Sequence, residues 1–347
     1  MRLRDISQSS RTCNEDVRAH HDPPSGRRTL QLSTGQAFEM WMSEEGYSPL
    51  AVTALLLAVI MWGASFPLLK LGLEYVPPIT LAAVRYSIAG LILIAVVFAR
   101  SGVKRSLSEF RLDWKALTLL GLVGITVPNA TLNLGLQFTT ASVSSMIQAS
   151  GPAFTVALAV IFLKERLRGM KVLGLAIAVI GTILLIGEGG VDLGNSTFIG
   201  NILVLVSSFS YSVSGVLTKR ALERHSPLTI TGWNVAIGSL FLYASTPIEF
   251  GQSVSFPPDM IVILLLLAVF PGCLAFLLYN YVLQKKELSS ISFFIYLIPV
   301  FSTIISIALL GEVITAETVL FAALVIAGVA IAQYAPARLR RKRRNEG

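Results

Sequence analysis

The sequence predicts an all-α integral membrane protein of ten transmembrane helices, arranged as two inverted five-helix repeats. Three observations predict it. Of 347 residues, 54% are hydrophobic and only 14% charged, against about 25% charged in an average soluble domain. Apolar runs of about 20 residues, enough to cross about 30 Å of hydrocarbon at about 1.5 Å per residue, recur along the chain. The two halves also match each other when one is slid along the other by 147 to 149 positions.

The runs lie near 50–71, 79–99, 115–136, 140–163, 170–187, 198–218, 228–248, 260–283, 289–310 and 315–335. The basic residues test this count. With the amino-terminal tail inside and ten spans alternating, all but two of the 28 Lys and Arg fall in cytoplasmic segments. The exceptions are Lys70, at the outer end of the first span, and Arg85, inside the second. A wrong span count would scramble that asymmetry. The positive-inside rule therefore places both termini in the cytoplasm, in a cell (plasma or inner) membrane.

Residues 1–49 are polar, carry Pro23-Pro24 and mixed charge, and contain no long apolar stretch. They read as a disordered cytoplasmic tail, without the apolar core of a signal peptide, and Met40 or Met42 is an alternative start. Residues 50–187 form the first repeat and 198–336 the second. The tail 337–347, with Arg338 through Arg344, reads as a cytoplasmic anchor beside anionic lipid rather than a nucleic-acid patch.

The matches between halves involve residues that do not coincide by apolar chance. At a shift of 147, Asn133 meets Asn280, Gln137 meets Gln284, Pro152 meets Pro299, Glu165 meets Glu312 and Gly181 meets Gly328. At 149, Ser65 meets Ser214, Lys70 meets Lys219 and Pro78 meets Pro227. Five spans per copy is an odd number, so the second copy enters the bilayer from the opposite face. Inverted repeats mark alternating-access transporters, which hold substrate near the midplane between the copies. The rival readings are a passive channel and a non-transporting sensor or scaffold.

Enzyme readings fail for want of parts. Two cysteines, Cys13 and Cys273, exclude a disulfide scaffold and a thiolate zinc site, and no histidine lies in a span. Asp113, Asp192 and Asp259 sit near loops, and no Gly-rich phosphate loop with its lysine appears. Neither a cofactor nor a metal is expected. The expected partners are a small-molecule substrate and the lipid bilayer, not nucleic acid. Gly181 and Gly328, on the fifth and tenth spans, suit close helix packing or a homodimer surface.

Polar groups within hydrocarbon are costly, so they are the candidate site. Asn129, Asn133 and Gln137 recur every fourth residue on the third span, and Tyr279, Asn280 and Gln284 answer them on the eighth. They line a cavity or hydrogen-bond between helices. Trp62 with Ser65, and Tyr211 with Ser214, repeat an aromatic-then-hydroxyl spacing that suits an amphipathic ligand. Gln148 with Pro152, and Tyr296 with Pro299, share faces of the fourth and ninth spans. There a proline kinks the helix or frees a carbonyl as a substrate acceptor. Arg85 has Asn234 as its counterpart. It snorkels to the outer interface, or pairs with a substrate carboxylate or a gate acceptor. Glu165 and Glu312 adjoin span ends and read as structural or gating links, and no acid near mid-membrane supports proton coupling.

Trp62-Gly63-Ala64-Ser65-Phe66 with Lys70, Arg85, Leu163-Lys164-Glu165-Arg166-Leu167, Gly174 and Gly181, then Leu310-Gly311-Glu312 and Gly328, resemble the EamA-type permeases of the drug/metabolite transporter superfamily. The resemblance spans roughly residues 50–336. It implies a permease of small metabolites, commonly an exporter of amino acids or related compounds. The second copy has Tyr211-Ser212 in place of the Trp-Gly pair, so the two copies are not chemically equivalent.

Overall fold

The computed structural model describes residues 48–163, 169–187, 195–286 and 288–345. Every regular element in them is helical. Capping residues set where many of the helices begin. Ser48 accepts from Ala51 N and Pro49 opens α1 (Pro49–Gly72). Pro78, whose missing N–H costs nothing at a helix start, opens α2 (Pro78–Ser101). The matched Pro227 opens α9 (Pro227–Ser245), behind the Ser226 cap. Asn195 caps α8 (Ser196–Ala221) through Thr197 N.

Between these lie α3 (Val103–Gly121) and α4 (Val127–Phe138), joined through a π-helical segment at Leu122–Thr126. Next come α5 (Ala141–Gln148), α6 (Gly151–Leu163) and α7 (Gly169–Gly187). The second half continues with α10 (Pro258–Val269), a π-helical segment at Phe270–Ala275, and α11 (Phe276–Lys285). It ends with α12 (Leu288–Ile295), α13 (Ile298–Leu310) and α14 (Ala316–Asn345). Gly311, at φ 64°, closes α13 in a left-handed cap.

Five helical stretches are long and apolar enough to cross a membrane: Pro49–Gly72, Pro78–Ser101, Val103–Phe138, Ser196–Ala221 and Pro258–Lys285. Shorter apolar helices cover Val172–Gly187, Ile298–Leu310 and Ala316–Gly328. Leu91, Leu240, Ile183 and Ile304 stand on the outer surface, each at least 60% exposed. That arrangement suits lipid rather than water.

One expectation changes. The fourth and ninth apolar runs are not continuous helices: each breaks for two residues, at Ala149-Ser150 and at Tyr296-Leu297. Pro152 and Pro299 sit in the first turn beyond the breaks, where no intrahelical amide is missed. The segment before the third run is also helical. It bends at Asp113 (φ −121°, ψ 27°), whose carboxylate lies 2.7 Å from His225 Nε2.

The two halves repeat each other in detail. The breaks and the π-helical segments fall at matched positions. Lys70 Nζ donates to Leu136 O (2.5 Å) and Thr139 O (2.8 Å), and Lys219 Nζ donates to Leu283 O (2.7 Å) and Lys286 O (2.8 Å). Each lysine thus neutralises the carbonyl end of the helix that follows a π segment. Helices α2 and α9 pack on each other, as do α7 and α14, while α4 lies against α8 and α1 against α13. Gly181 and Gly328 are spent on the α7–α14 contact within the chain. A Cβ on Gly181 would sit 2.8 Å from Val325 N, and one on Gly328 would collide with Ala178 N.

Candidate functional site

A cavity of about 180 Å³ lies within the helical bundle. It has room for on the order of ten waters or a small metabolite. Most of its lining falls into repeat-matched pairs: Trp62 with Tyr211, Ser65 with Ser214, Arg85 with Asn234, Asn129 with Phe276, Leu132 with Tyr279, and Gln148 with Ile295. Both copies therefore present the same positions to one space, with different side chains at each of these pairs except the serines.

One wall is a hydrogen-bonded node. The π-helical segment alters the regular ladder, and Asn129 Nδ2 donates back to Ile125 O at 2.7 Å. That fixes the Asn129 carbonyl, which accepts from Arg85 Nη2 (2.8 Å), Tyr86 Oη (2.9 Å) and Tyr211 Oη (3.1 Å). Arg85 also lies 4.4 Å over the Tyr86 ring. At 3% exposure it is held in the interior rather than snorkelling to an interface.

Another part of the wall is aromatic. Trp62 meets Phe276 edge-on at 5.4 Å and Tyr279 at 5.3 Å between ring centres. Gly63 lets α1 approach α13, because a Cβ there would lie 2.8 Å from Phe301 Cβ. Asn280 lines the cavity and donates to Thr231 Oγ1 at 2.9 Å. Gln148 donates to Ser207 Oγ at 3.2 Å, its backbone carbonyl accepts from Ser208 Oγ at 3.1 Å, and the Gly151 carbonyl accepts from Ser212 Oγ at 2.8 Å. The carbonyls beside the break before Pro152 are thus held by the serine face of α8.

Of the candidates, Trp62, Ser65, Arg85, Asn129, Gln148, Pro152, Tyr211, Ser214, Tyr279 and Asn280 line the cavity. Asn133, Tyr296 and Pro299 do not. Asn133 is fully buried and its Nδ2 donates to Pro78 O at 3.0 Å, so it ties α4 to the start of α2. Tyr296 and Pro299 are buried beside the lining residues Ile295 and Ile298. Gln137 faces outward. Glu312 accepts from Ala141 N (2.7 Å) and Ser142 N (3.1 Å), which places a carboxylate on the amide end of α5. Glu165 lies outside the described residues.

Sequence reasoning missed Tyr86, Ser208, Ser212 and Thr155 in the lining. Tyr86 follows the singled-out Arg85. Ser208 and Ser212 sit one turn apart on the span that carries Tyr211, a spacing the sequence does display. It also missed Glu249, which accepts from Ile79 N (2.7 Å), Thr80 N (2.8 Å) and Thr80 Oγ1 (2.8 Å) at the start of α2.

Comparison with known proteins agrees with this architecture. Residues 49–187 and 198–334 each match the EamA-like transporter family. An uncharacterized transporter of Archaeoglobus fulgidus is 29% identical over 280 residues, covering 80% of this chain and 96% of that protein. A probable amino-acid metabolite efflux pump of Salmonella typhimurium is 29% identical over 290 residues, covering 80% and 92%. A probable terminal-alkyne amino-acid exporter of Streptantibioticus cattleyicolor is 27% identical over 280 residues, covering 80% and 92%. One solved crystal structure superposes with a TM-score of 0.62 at 21% identity, over 83% of this chain and 98% of the other, a likeness of fold. With both halves matching one family and the relatives aligned nearly end to end, the chain belongs to the EamA-like transporter family and is a membrane transporter.

Proposed function

We propose that the chain is a secondary transporter that exports a small metabolite, an amino acid or related compound, by alternating access. In this reading two inverted five-helix repeats, 50–187 and 198–336, cross the membrane ten times with both termini cytoplasmic. The observation that carries it is the cavity itself, whose walls are built largely from repeat-matched residues. A space shared by two inverted copies can open toward either side by rocking one copy against the other. Relatives named as amino-acid exporters and efflux pumps support the direction and the substrate range.

Trp62, Tyr211 and Tyr279 supply the apolar face for the substrate, and Ser65, Arg85, Asn129, Gln148, Ser214 and Asn280 supply the polar one. Asn133 and Tyr296 support the wall from outside the lining. The breaks before Pro152 and Pro299 serve as hinges. The bond from Glu312, in the second half, to the amides of α5, in the first, is a contact that parts when the copies separate on that side. With Gly181 and Gly328 used inside the chain, a single chain is the transporting unit.

The test is flux in proteoliposomes holding the purified protein and a panel of labelled amino acids, their N-acyl derivatives, simple carboxylates and amines. Saturable counterflow of one class, reduced at least tenfold by Thr155→Trp, which fills the cavity, is expected. Flux without saturation would make the protein a channel, and no flux of any compound by folded protein would make it a scaffold.

A further inference from the structure

Among the described residues, Arg85 is the only charged one that lines the cavity, and no carboxylate lines it. Arg85 is 3% exposed, and its Nη2 donates to the neutral side-chain amide of Asn129. Arginine stays protonated under all protein conditions. A buried, uncompensated cation is costly, and here it is placed beside a space of ligand size. Three polar atoms on lining residues are buried without a hydrogen-bond partner: Arg85 Nε, Gln148 Oε1 and Asn234 Oδ1. One is a cationic donor and two are neutral acceptors.

The repeat makes this set directional. Asn234 occupies the position in the second copy that Arg85 occupies in the first. A cavity with equivalent walls would accept a ligand in two orientations. With guanidinium at one matched position and amide at the other, one orientation wins. The third polarity is supplied by Trp62, Phe276 and Tyr279, whose rings form the apolar wall.

We infer that the cavity selects a small organic carboxylate whose hydrogen-bond donor is uncharged, an amide N–H or a hydroxyl, with its apolar portion against Trp62. The carboxylate sits on Arg85 and the donor reaches Gln148 or Asn234. A monoanion leaves the site electrically neutral. A zwitterion leaves the charge of Arg85 uncancelled, and a cation doubles it, with no carboxylate in the described lining to receive an ammonium. This inference rests on the transport reading for the cavity's purpose, but it commits further, to charge and orientation.

The experiment measures binding of four congeners to the purified full-length protein in nanodiscs by calorimetry: N-acetylphenylalanine, 3-phenylpropionate, phenylalanine and phenethylamine. The expected order is N-acetylphenylalanine tightest, 3-phenylpropionate several-fold weaker, phenylalanine at least tenfold weaker than the first, and phenethylamine weakest. Arg85→Gln should cut the preference for 3-phenylpropionate over phenethylamine at least tenfold. Gln148→Leu combined with Asn234→Leu should erase the advantage of N-acetylphenylalanine over 3-phenylpropionate and keep the acid bound more tightly than the amine. The wild-type ratios decide even if a variant fails to fold. Phenylalanine binding as tightly as its acetylated form, or phenethylamine as tightly as 3-phenylpropionate, overturns the charge assignment and leaves the cavity as a site. Failure of all four to bind folded protein overturns this inference and leaves the transport reading to the flux panel.

Discussion

Replacing Glu249 by alanine tests the idea that helix ends in this fold are held by carboxylates from the other half of the chain. Glu249 is 7% exposed, and its two oxygens accept the amides of Ile79 and Thr80 and the Thr80 hydroxyl at 2.7 to 2.8 Å. Alanine leaves two amides of the first turn of α2 without a partner. Each unsatisfied buried donor costs about 1–3 kcal/mol. A negative charge at a helix start contributes a further 0.3–1 kcal/mol or so. Water reaching the rim of the site offsets part of this, so a net loss of about 2–4 kcal/mol is expected. Glu249→Gln keeps one accepting oxygen and should lose about half as much. The assay is thermal unfolding in detergent, followed by the fraction remaining monodisperse. The alanine variant should melt on the order of 5 °C lower, with glutamine between it and the parent. An alanine variant with an unchanged midpoint would refute the view that this carboxylate supports α2.

Lys70→Met and Lys219→Met each uncap two carbonyls, so each should lower the same midpoint, by about 1–3 kcal/mol, and the two losses should be comparable because the contacts match. Gly181→Leu should abolish monodisperse protein, since the side chain would enter the backbone of α14, whereas Gly251→Leu, at a position with open space around it, should affect folding only through its φ of 90°. Trp62→Ala removes the ring that meets both Phe276 and Tyr279 and should weaken substrate binding at least tenfold in a direct binding assay, with little change in melting. Asn129→Leu should lower both stability and binding, and combining it with Tyr211→Phe should add much less than the sum of the single effects, measured as a double-mutant cycle.

Much of the helix order was legible because apolar runs and the alternation of basic segments are properties of the chain alone. So was the pairing of the halves, because Asn, Pro, Lys and Glu rarely coincide in register by chance. What periodicity could not give was the two-residue breaks. Ala149-Ser150 and Tyr296-Leu297 are as apolar or small as their surroundings, and only the downstream prolines hinted at them. Nor could a polar stripe say which of its members faces the cavity. Asn129 and Asn133 are one turn apart, yet one lines the cavity and the other reaches Pro78 O on the neighbouring helix. Glu249 was invisible for a different reason: its partners lie about 170 positions away, and no local rule connects a loop acid to a distant helix start.

The carbonyl of Asn129 takes three donors from two helices while its amide is moored to a third segment. That junction behaves mechanically as a rivet. Arg85, Tyr86 and Tyr211 cannot drift independently, so under the proposed binding mode an incoming ligand would meet a guanidinium already aimed and already stripped of water, and little freedom of the wall would be lost on binding. The same rivet joins α2 and α4 of the first copy to α8 of the second, so whatever loosens one side chain there is felt across the boundary between the halves.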